Sequence, residues 1–286
     1  LYKTFKNKEQ IFRDDKMVIV LVHGDTFSTL LGALMGKMAK LKVAHVESGL
    51  RSFNLFNPFP EEITRILTFK LTDYFFCPDT WALNNLKKYN GIKINTRGNT
   101  LIDSLGLAIK NKSKVKIDIP KDKYCVVTIH RFENISNKER FEDILSIIKD
   151  VSKHIKVLFI LHPPTRRKLE SYDFMSLLKK NRNIEFRPRY DYFDFINLIN
   201  KSEFLISDGG SNQEECFYLG KPCLLLRNET ERREGLGKNV VLSKFNQKTI
   251  SSFLDNYKRY SHKTINKTDS PSKLIIKEIV KFGGRG

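Results

Sequence analysis

The sequence predicts an α/β protein built from two Rossmann-like, doubly wound parallel-sheet domains, the first of them incomplete. Short β-branched apolar runs bounded by turn residues alternate with longer amphipathic stretches, which is typical of βαβ units. A charged, proline-containing stretch without helical period separates two such series at about residues 111–122. We therefore expect two domains joined by a linker.

In the first series, each apolar run is followed by a helical pattern. Gly32 and Gly36 permit close packing of the first helix on the sheet, and Pro60 opens the next helix, with two glutamates near its positive end. The predicted strands are 17–25, 42–48 and 73–78, and the predicted helices are 29–41, 60–72, 80–90 and 102–111. These are fewer βα units than a complete Rossmann domain has, and the chain begins with Leu, so we expect an N-terminal truncation.

The second series repeats the pattern with more units. The predicted strands are 124–130, 156–163, 184–189, 203–210 and 221–228, and the predicted helices are 138–154, 168–181, 191–202 and 211–220. We place the first domain at 1–112, the linker at 113–122 and the second domain at 123–262. The segment 263–286 predicts a C-terminal helix that packs back on the first domain.

The chain is strongly basic, with 51 Lys and Arg against 32 Asp and Glu and a formal net charge of +19. A positive net charge of this size is typical of proteins that bind a nucleic acid, an anionic membrane or a phosphorylated substrate. The lysines are scattered and form no arginine-rich block, which favours a solvated surface over a nucleic-acid site. Nucleic-acid binding stays the alternative from another class, and it predicts an affinity that falls steeply with salt.

The cysteines and the apolar runs predict a cytoplasmic protein without membrane insertion. The four cysteines form no CxxC pair and lie in apolar runs, where free cysteine behaves as a small hydrophobe. No apolar run approaches the ~18–20 residues that span a bilayer, and residues 1–16 contain no signal-peptide core.

Polar residues close several of the predicted strands. Ligands bind at the carboxyl ends of the strands in open parallel sheets, so these residues are site candidates. They are His23 to Thr26 with Asp25 among them, Glu47, His130 to Glu133, His162, and Ser207 to Ser211. Any one of these could be a helix cap or a turn, whereas five together favour a ligand site.

The segment Gly209-Gly210-Ser211 opens a predicted helix. Its free backbone N–H groups and the helix dipole would face an anion, and its small residues would let a phosphate approach. A carboxylate one turn inside such a helix suits ribose hydroxyls, and Glu215 is the candidate, while Glu214 could simply complement the dipole. No GxGxxG and no GxxxxGK[ST] occurs in the sequence, which disfavours dinucleotide binding and P-loop hydrolysis.

Taken together, these segments resemble the non-hydrolysing UDP-N-acetylglucosamine 2-epimerase family from about residue 17 to residue 250. Each segment is a weak pattern by itself, but their common order and spacing are highly specific. They are HGDT (23–26), HVESGLRS (45–52), FPEEITR (59–65), RGNTLIDSL (97–105), THRxEN (Thr128, His130, Arg131, Glu133 and Asn134), SDGG with QEE (207–215), LGKP (219–222) and RNETERRE (227–234).

The resemblance implies a two-domain fold like that of GT-B glycosyltransferases. The nucleotide would bind mainly to the C-terminal domain, the sugar would lie in the cleft between the domains, and the protein would be a homodimer. The resemblance makes Asp25, Glu47 and Glu61 the catalytic carboxylates and His130 a catalytic and phosphate-contacting group. The implied UDP-binding residues are His162, Gly210, Ser211, Glu215 and Arg232.

Two departures from the family pattern stand out. The family's D-S-G-G-I-Q-E-E reads D-G-G-S-N-Q-E-E here, so the hydroxyl moves from the position after Asp208 to Ser211, which predicts altered phosphate contacts. The family's opening strand and its G-T-R-P-E-like turn, which supply basic residues to the cleft, do not occur in this sequence.

The implied reaction is epimerisation at C2 of a UDP-N-acetylhexosamine, for the synthesis of cell-surface polysaccharide precursors. C2–H is not acidic until UDP leaves and C1 gains oxocarbenium character, after which a carboxylate can remove the proton. This chemistry requires no cofactor and no metal, and the sequence has no metal-ligand spacing. A hydrolysing epimerase, an epimerase of a 6-deoxy or otherwise modified sugar, and a GT-B glycosyltransferase remain as alternatives.

Overall fold

The computed structural model describes residue 7 and residues 19–55, 59–111, 116–265 and 269–283. The chain folds as two compact units, of which one contains Leu1–Asp103 with Lys267–Gly286 and the other contains Ser104–Asn266. The unit boundary thus falls at residue 103, whereas the sequence places it at 112. Residues 113–115 of the expected linker lie outside the described residues, and the rest of that linker belongs to the second unit.

The first unit contains a four-stranded parallel sheet whose strands follow one another in chain order. These strands are β1 (Ile19–His23), β2 (Lys42–Val46), β3 (Tyr74–Cys77) and β4 (Ile92–Asn95). The helices between them are α1 (Phe27–Met38), α2 (Glu61–Leu71) and α3 (Thr80–Asn85), and α4 (Leu101–Lys110) follows β4. The predicted helix 80–90 is wrong in its second half, because the chain turns after Asn85 towards β4.

The last helix that the structure describes packs on this first sheet. Ile275 is 5% exposed and lies in a cluster with Ala44, Val46 and Phe76, and the rings of Tyr74 and Phe282 stack with centroids 4.1 Å apart. This helix, α12 (Pro271–Gly283), is therefore part of the core of the first unit.

The second unit contains a six-stranded parallel sheet in the order β10-β9-β8-β5-β6-β7. The strands are β5 (Tyr124–Thr128), β6 (Lys156–Leu161), β7 (Ile184–Pro188), β8 (Leu205–Ser207), β9 (Cys223–Leu225) and β10 (Val240–Leu242). The chain runs outward from β5 to β7 on one side and from β8 to β10 on the other. The topological switch point therefore lies between β5 and β8, where open α/β sheets bind their ligands.

Helices surround this second sheet, and its core is formed mainly by aliphatic and aromatic side chains such as Val127, Phe141, Ile148 and Phe159. The helices are α5 (Phe132–Ile135), α6 (Lys138–Ser152), α7 (Pro163–Ser171), α8 (Phe174–Lys179), α9 (Tyr192–Lys201), α10 (Gly210–Leu219) and α11 (Gln247–Asn256). The predicted helix 168–181 is wrong as one element, because Asp173 adopts a left-handed φ of 59° between α7 and α8.

All four cysteines are buried and unpaired, as expected for small apolar residues. Within the part of the chain that the structure describes, every helix is too short or too polar to cross a bilayer.

Replacing Ile275 by Ala should lower the free energy of unfolding by about 2–4 kcal/mol, because the truncation leaves a cavity between α12 and the sheet. The adjacent Ile276 is 62% exposed, so Ile276→Ala is the matched control and should change stability by at most about 0.5 kcal/mol. Urea denaturation followed by circular dichroism measures both variants. Equal losses in the two would contradict the packing of α12 described above.

Candidate functional site

The carboxyl ends of β1 and β2 bring Asp25 and Glu47 together in the first unit. The two strands are neighbours, and the Gly24 N–H donates to the Val46 carbonyl at 3.1 Å. Glu47 has a left-handed φ of 62°, a costly conformation for a residue with a side chain and one that concentrates at functional sites. Its Oε2 lies 3.6 Å from Nε2 of His23, the last residue of β1.

Arg65 of α2 bridges Asp25 and a second carboxylate, that of Glu62. Its guanidinium donates to Oδ2 of Asp25 and, at 3.2 Å, to Oε2 of Glu62. Thr64 adds a backbone tether, since its hydroxyl donates to the Asp25 carbonyl at 2.7 Å. The helix that begins at Glu61 is therefore tied to the turn that carries Asp25.

Glu62 is fully buried and acts as an anchor for the segment after β2. It accepts hydrogen bonds from the Arg51 side chain, from the Ser52 N–H at 3.0 Å and from the Phe53 N–H at 3.3 Å. Burial by itself would raise the pKa of Glu62, but the Ser52 N–H and the Arg51 guanidinium together bring it below its ordinary value. A buried, ionised carboxylate whose oxygens accept several hydrogen bonds from the protein has a structural role.

Glu61, the candidate from sequence, is the first residue of α2. Its Oε2 is buried and has no hydrogen-bond partner among the residues that the structure describes. Residues 56–58, which lie shortly before α2 in the sequence, are outside the described residues. The catalytic roles of Asp25, Glu47 and Glu61 stay predictions.

His45 lies on β2 and contacts the backbone of Gly24, next to Asp25. Its hydrogen bonds identify its tautomer. Nε2 lies 2.7 Å from the Gly24 carbonyl, which can only accept, so this nitrogen carries the proton. Nδ1 lies 3.1 Å from the Ser48 hydroxyl, which can then donate to it. Burial lowers the pKa of His45 to about 4, although the Gly24 carbonyl and Glu47 oppose the change. His45 is a neutral support for the turn.

Asp208 organises the switch point of the second unit. It is completely buried and accepts from the backbone N–H groups of His130 at 3.1 Å and Arg131 at 3.0 Å. The Asn134 amide also donates to it at 3.0 Å and reaches the Leu226 carbonyl at 3.1 Å. One carboxylate therefore fixes the turn after β5 against the turn after β8.

His130 and His162 follow β5 and β6 and form a stacked pair. Their ring centroids are 4.6 Å apart and their planes differ by 21°. Nδ1 of His130 lies 3.3 Å from Oδ1 of Asp208. Burial lowers the pKa of His162 to about 4, and the charges of His130 and Arg189 contribute to the decrease. His162 is therefore neutral at physiological pH and stacks on the His130 ring.

The amino end of α10 lies directly at the switch point. Gly209 is the N-cap residue and no side chain caps the helix, while Ser211 in the first turn is exposed. A Cβ on Gly210 would lie 3.0 Å from Nε of Arg232, a tight contact, so the glycine leaves room for the close approach of this arginine. The first turn thus presents backbone N–H groups beside a guanidinium, which suits an anion.

Glu214 and Arg232 form a buried ion pair behind this helix end. The Arg232 guanidinium donates to Oε2 of Glu214, whose side chain is fully buried. Gln213 holds the same loop through its amide, which donates to the carbonyls of Arg232 at 3.1 Å and Glu234 at 2.9 Å. Glu214 therefore positions Arg232, a stronger role than the complement to the dipole that the sequence also allowed.

Glu215 is buried at the next position of α10 with a carboxylate that few groups stabilise. The Asn212 amide donates to its Oε2 at 2.9 Å, and the Tyr192 hydroxyl at the start of α9 interacts with it. Burial raises the pKa of Glu215 to about 7, while Asn212, Tyr192 and the charge of Arg232 limit the increase. A carboxylate poised in this way gains from additional hydroxyl donors.

Sequence reasoning missed three residues that shape these sites. Glu62 was grouped with Glu61 at the helix end, whereas Asn212 and Tyr192 were not singled out. The change from the family's Ile to Asn at position 212 was visible in the sequence and was the available signal for Asn212. Among the described residues, no three of His, Cys, Asp and Glu are arranged to hold a metal ion.

His45 and His162 should both stay neutral down to about pH 5, with His45 as the Nε2–H tautomer. Their pKa values of about 4 lie below the ordinary 6.5, so the unfolded chain binds these protons more readily and stability falls as the pH drops from 6.5 towards 4. Long-range ¹H–¹⁵N spectra across this pH range report both properties. Titration midpoints near 6.5 would contradict the burial of these rings.

Comparisons with known proteins agree with this arrangement. The chain matches the UDP-N-acetylglucosamine 2-epimerase family over residues 1–272. The UDP-N-acetylglucosamine 2-epimerase of Methanocaldococcus jannaschii is 36% identical over 261 residues, which are 85% of this chain and 70% of that protein. The UDP-2,3-diacetamido-2,3-dideoxy-D-glucuronate 2-epimerase of Pseudomonas aeruginosa is 34% identical over 242 residues, 82% of this chain and 66% of that protein.

Solved structures give the same result. The crystal structure of the UDP-GlcNAc 2-epimerase from Neisseria meningitidis bound to UDP-GlcNAc has a TM-score of 0.85 and 30% identity, and the match covers 98% of this chain and 81% of that one. The strand-end carboxylates, the uncapped helix end and these matches lead to one conclusion: the chain belongs to the UDP-N-acetylglucosamine 2-epimerase family.

Proposed function

We propose that this protein is an isomerase that inverts C2 of a UDP-N-acetylhexosamine by eliminating and re-adding UDP. The observation that carries the proposal is the uncapped amino end of α10 at the switch point of the second sheet, in a chain of this family. An anion that binds there meets free N–H groups and a fixed guanidinium, which is what a departing diphosphate needs.

The second unit would bind the UDP part of the substrate. The diphosphate would contact the N–H groups of Gly210 and Ser211 and the cation of Arg232. His130 has Nδ1 turned towards Asp208, which leaves Nε2 for a phosphate oxygen. Glu215 would accept hydrogen bonds from the ribose hydroxyls, and these would replace the solvation that its buried carboxylate lacks.

The first unit would supply the groups that move the proton. As the C1–O bond breaks and its electron pair leaves with UDP, a carboxylate takes the C2 proton and the C–H electron pair forms the C1–C2 double bond. The intermediate is a 2-acetamidoglucal, and re-addition of UDP with protonation of the other face of C2 gives the epimer. Asp25 and Glu47 are the proposed proton-transfer groups, with Glu61 as a third carboxylate.

Two kinds of sugar are candidates for the N-acetylhexosamine part of the substrate. The Pseudomonas aeruginosa relative is named for a diacetamido sugar acid, so a modified UDP-N-acetylhexosamine is the second candidate substrate. Both candidates share the 2-acetamido group and the C2–H on which the elimination depends. We also propose that the protein is a cytoplasmic homodimer. Light scattering after size-exclusion chromatography would measure its oligomeric state.

Incubation with UDP-N-acetylglucosamine in deuterated water should introduce deuterium at C2 while the sugar stays attached to UDP. The reason is that a proton removed by a carboxylate exchanges with solvent before it returns. One-dimensional ¹H NMR follows the loss of the C2–H signal, and ³¹P NMR follows the diphosphate. Release of free sugar with UDP would instead identify the hydrolysing reaction, and transfer of the sugar to an acceptor would identify a glycosyltransferase.

Asp25→Asn and Glu47→Gln should each slow deuterium exchange at C2 by about 10²–10⁴-fold, the usual contribution of a proton-transfer group. UDP binding measured by calorimetry should stay within about threefold, because the second unit carries the proposed nucleotide site. Asp150→Asn, which changes an exposed carboxylate on α6, is the matched control and should leave exchange unchanged. Normal exchange in both site variants would exclude the proposed roles.

A further inference from the structure

The first turn of α10 contains a glycine and an asparagine whose positions depend on each other. A Cβ on Gly209 would lie 2.6 Å from Oδ1 of Asn212 and 3.2 Å from Cε1 of His130. The Asn212 side chain therefore occupies space that only glycine at position 209 leaves open. Both residues differ from the family pattern quoted above, which has Ser and Ile at these positions.

A directional chain of hydrogen bonds runs through Asn212. The Gly209 N–H donates to the Ser207 hydroxyl at 3.0 Å, so this hydroxyl is left to donate to Oδ1 of Asn212 at 2.9 Å. The amide oxygen of Asn212 is thereby assigned, and its NH₂ group faces Oε2 of Glu215 at 2.9 Å. Asn212 and Glu215 lie on one face of the helix because they are three positions apart.

Glu215 depends on few other groups for stabilisation. Tyr192 faces it from α9 and Arg232 from the loop after β9, while Glu214 and Cys216 flank it on its own helix. The cation of Arg232, which is paired with Glu214, also favours the ionised carboxylate, but less than the Asn212 amide does. The donor on Asn212 is therefore a main source of stabilisation for the Glu215 carboxylate.

We propose that Asn212 is a positioning residue that fixes the Glu215 carboxylate for the ribose hydroxyls of the nucleotide, so that this pair sets the preference for a ribonucleotide. The inference rests on the proposed function, because it takes Glu215 as the ribose ligand. It adds a residue that touches no substrate atom in this scheme and acts only through the orientation and ionisation of Glu215.

The direction of the pH dependence follows from the burial of Glu215. Its pKa of about 7 means that the carboxyl is protonated in acid and accepts hydroxyl hydrogen bonds fully only above this value. Ribose recognition should therefore strengthen as the pH rises through about 7. Removal of the Asn212 donor raises the pKa of Glu215 further and displaces this change to higher pH.

The test compares UDP with 2′,3′-dideoxy-UDP by calorimetry between about pH 5.5 and 8.5, a range that brackets the Glu215 transition. We take the ratio of the dissociation constant of 2′,3′-dideoxy-UDP to that of UDP. This ratio cancels the titration of the phosphate and reports only the contribution of the ribose hydroxyls. Asn212→Asp keeps the shape of the side chain but places a second carboxylate beside Glu215, and Asn212→Leu removes the donor without adding charge. Asn256→Asp on α11 makes the same change of charge away from the site and serves as the control.

We expect the wild-type ratio to rise with pH around 7 and the Asn256→Asp ratio to follow it. In Asn212→Leu the rise should move up by about one pH unit, and the ratio at neutral pH should fall about tenfold, as for the loss of one hydrogen bond to a charged group. The displacement should be larger in Asn212→Asp, because the two carboxylates repel each other.

Three results would overturn the inference. The first is a wild-type ratio in both Asn212 variants. The second is equal weakening of both nucleotides without a displaced midpoint. Either result would mean that Asn212 has only a structural role, and binding of UDP by the wild-type protein would leave the proposed function intact. A wild-type protein that binds neither nucleotide would refute the proposed function and, with it, the role of Asn212.

Discussion

The second unit depends on one buried carboxylate, that of Asp208. It accepts hydrogen bonds from two consecutive backbone N–H groups after β5 and from the Asn134 side chain, which in turn binds the loop after β9. A buried carboxylate without such donors would be costly, and with them it fixes the turns around the switch point to one another. The position of the His130 ring and the direction of the α10 helix end both follow from that anchor.

The first unit uses the same principle with a different residue. Glu62 is buried and saturated by Arg51 and by two N–H groups, and Arg65 extends the network to Asp25. The charged groups at the end of β1 are thus held by a structural carboxylate that is adjacent in sequence to the candidate Glu61. In both units a fully buried acid places more accessible groups at the strand ends, where chemistry can use them.

The prediction of two parallel-sheet α/β halves is confirmed: apolar runs such as that of β6 form central strands that pair in parallel with a neighbour on each side. Short or interrupted elements were less predictable. The three-residue strand β10 was missed, and the predicted helix 168–181 breaks at Asp173 through a backbone conformation that composition does not reveal.

Prediction of the site was limited in the same way. The apolar runs of the sequence predicted that Asp25, Glu47, His130 and His162 follow the ends of strands, and the structure has them there. Contacts between distant elements, such as that of Tyr192 with Glu215, depend on packing that one sequence does not encode in any local pattern. The functional roles of the site residues stay predictions.

The packing of α12 on the first sheet also constrains the order in which the molecule can form. The second unit is one continuous stretch of chain, whereas the first unit needs both its early strands and the helix from Pro271 to Gly283. During synthesis on a ribosome, every residue of the second unit emerges before the helix that covers Ala44, Val46 and Phe76. The first unit is therefore completed after the second, and Ala44, Val46 and Phe76 lack the cover of α12 until that helix is translated.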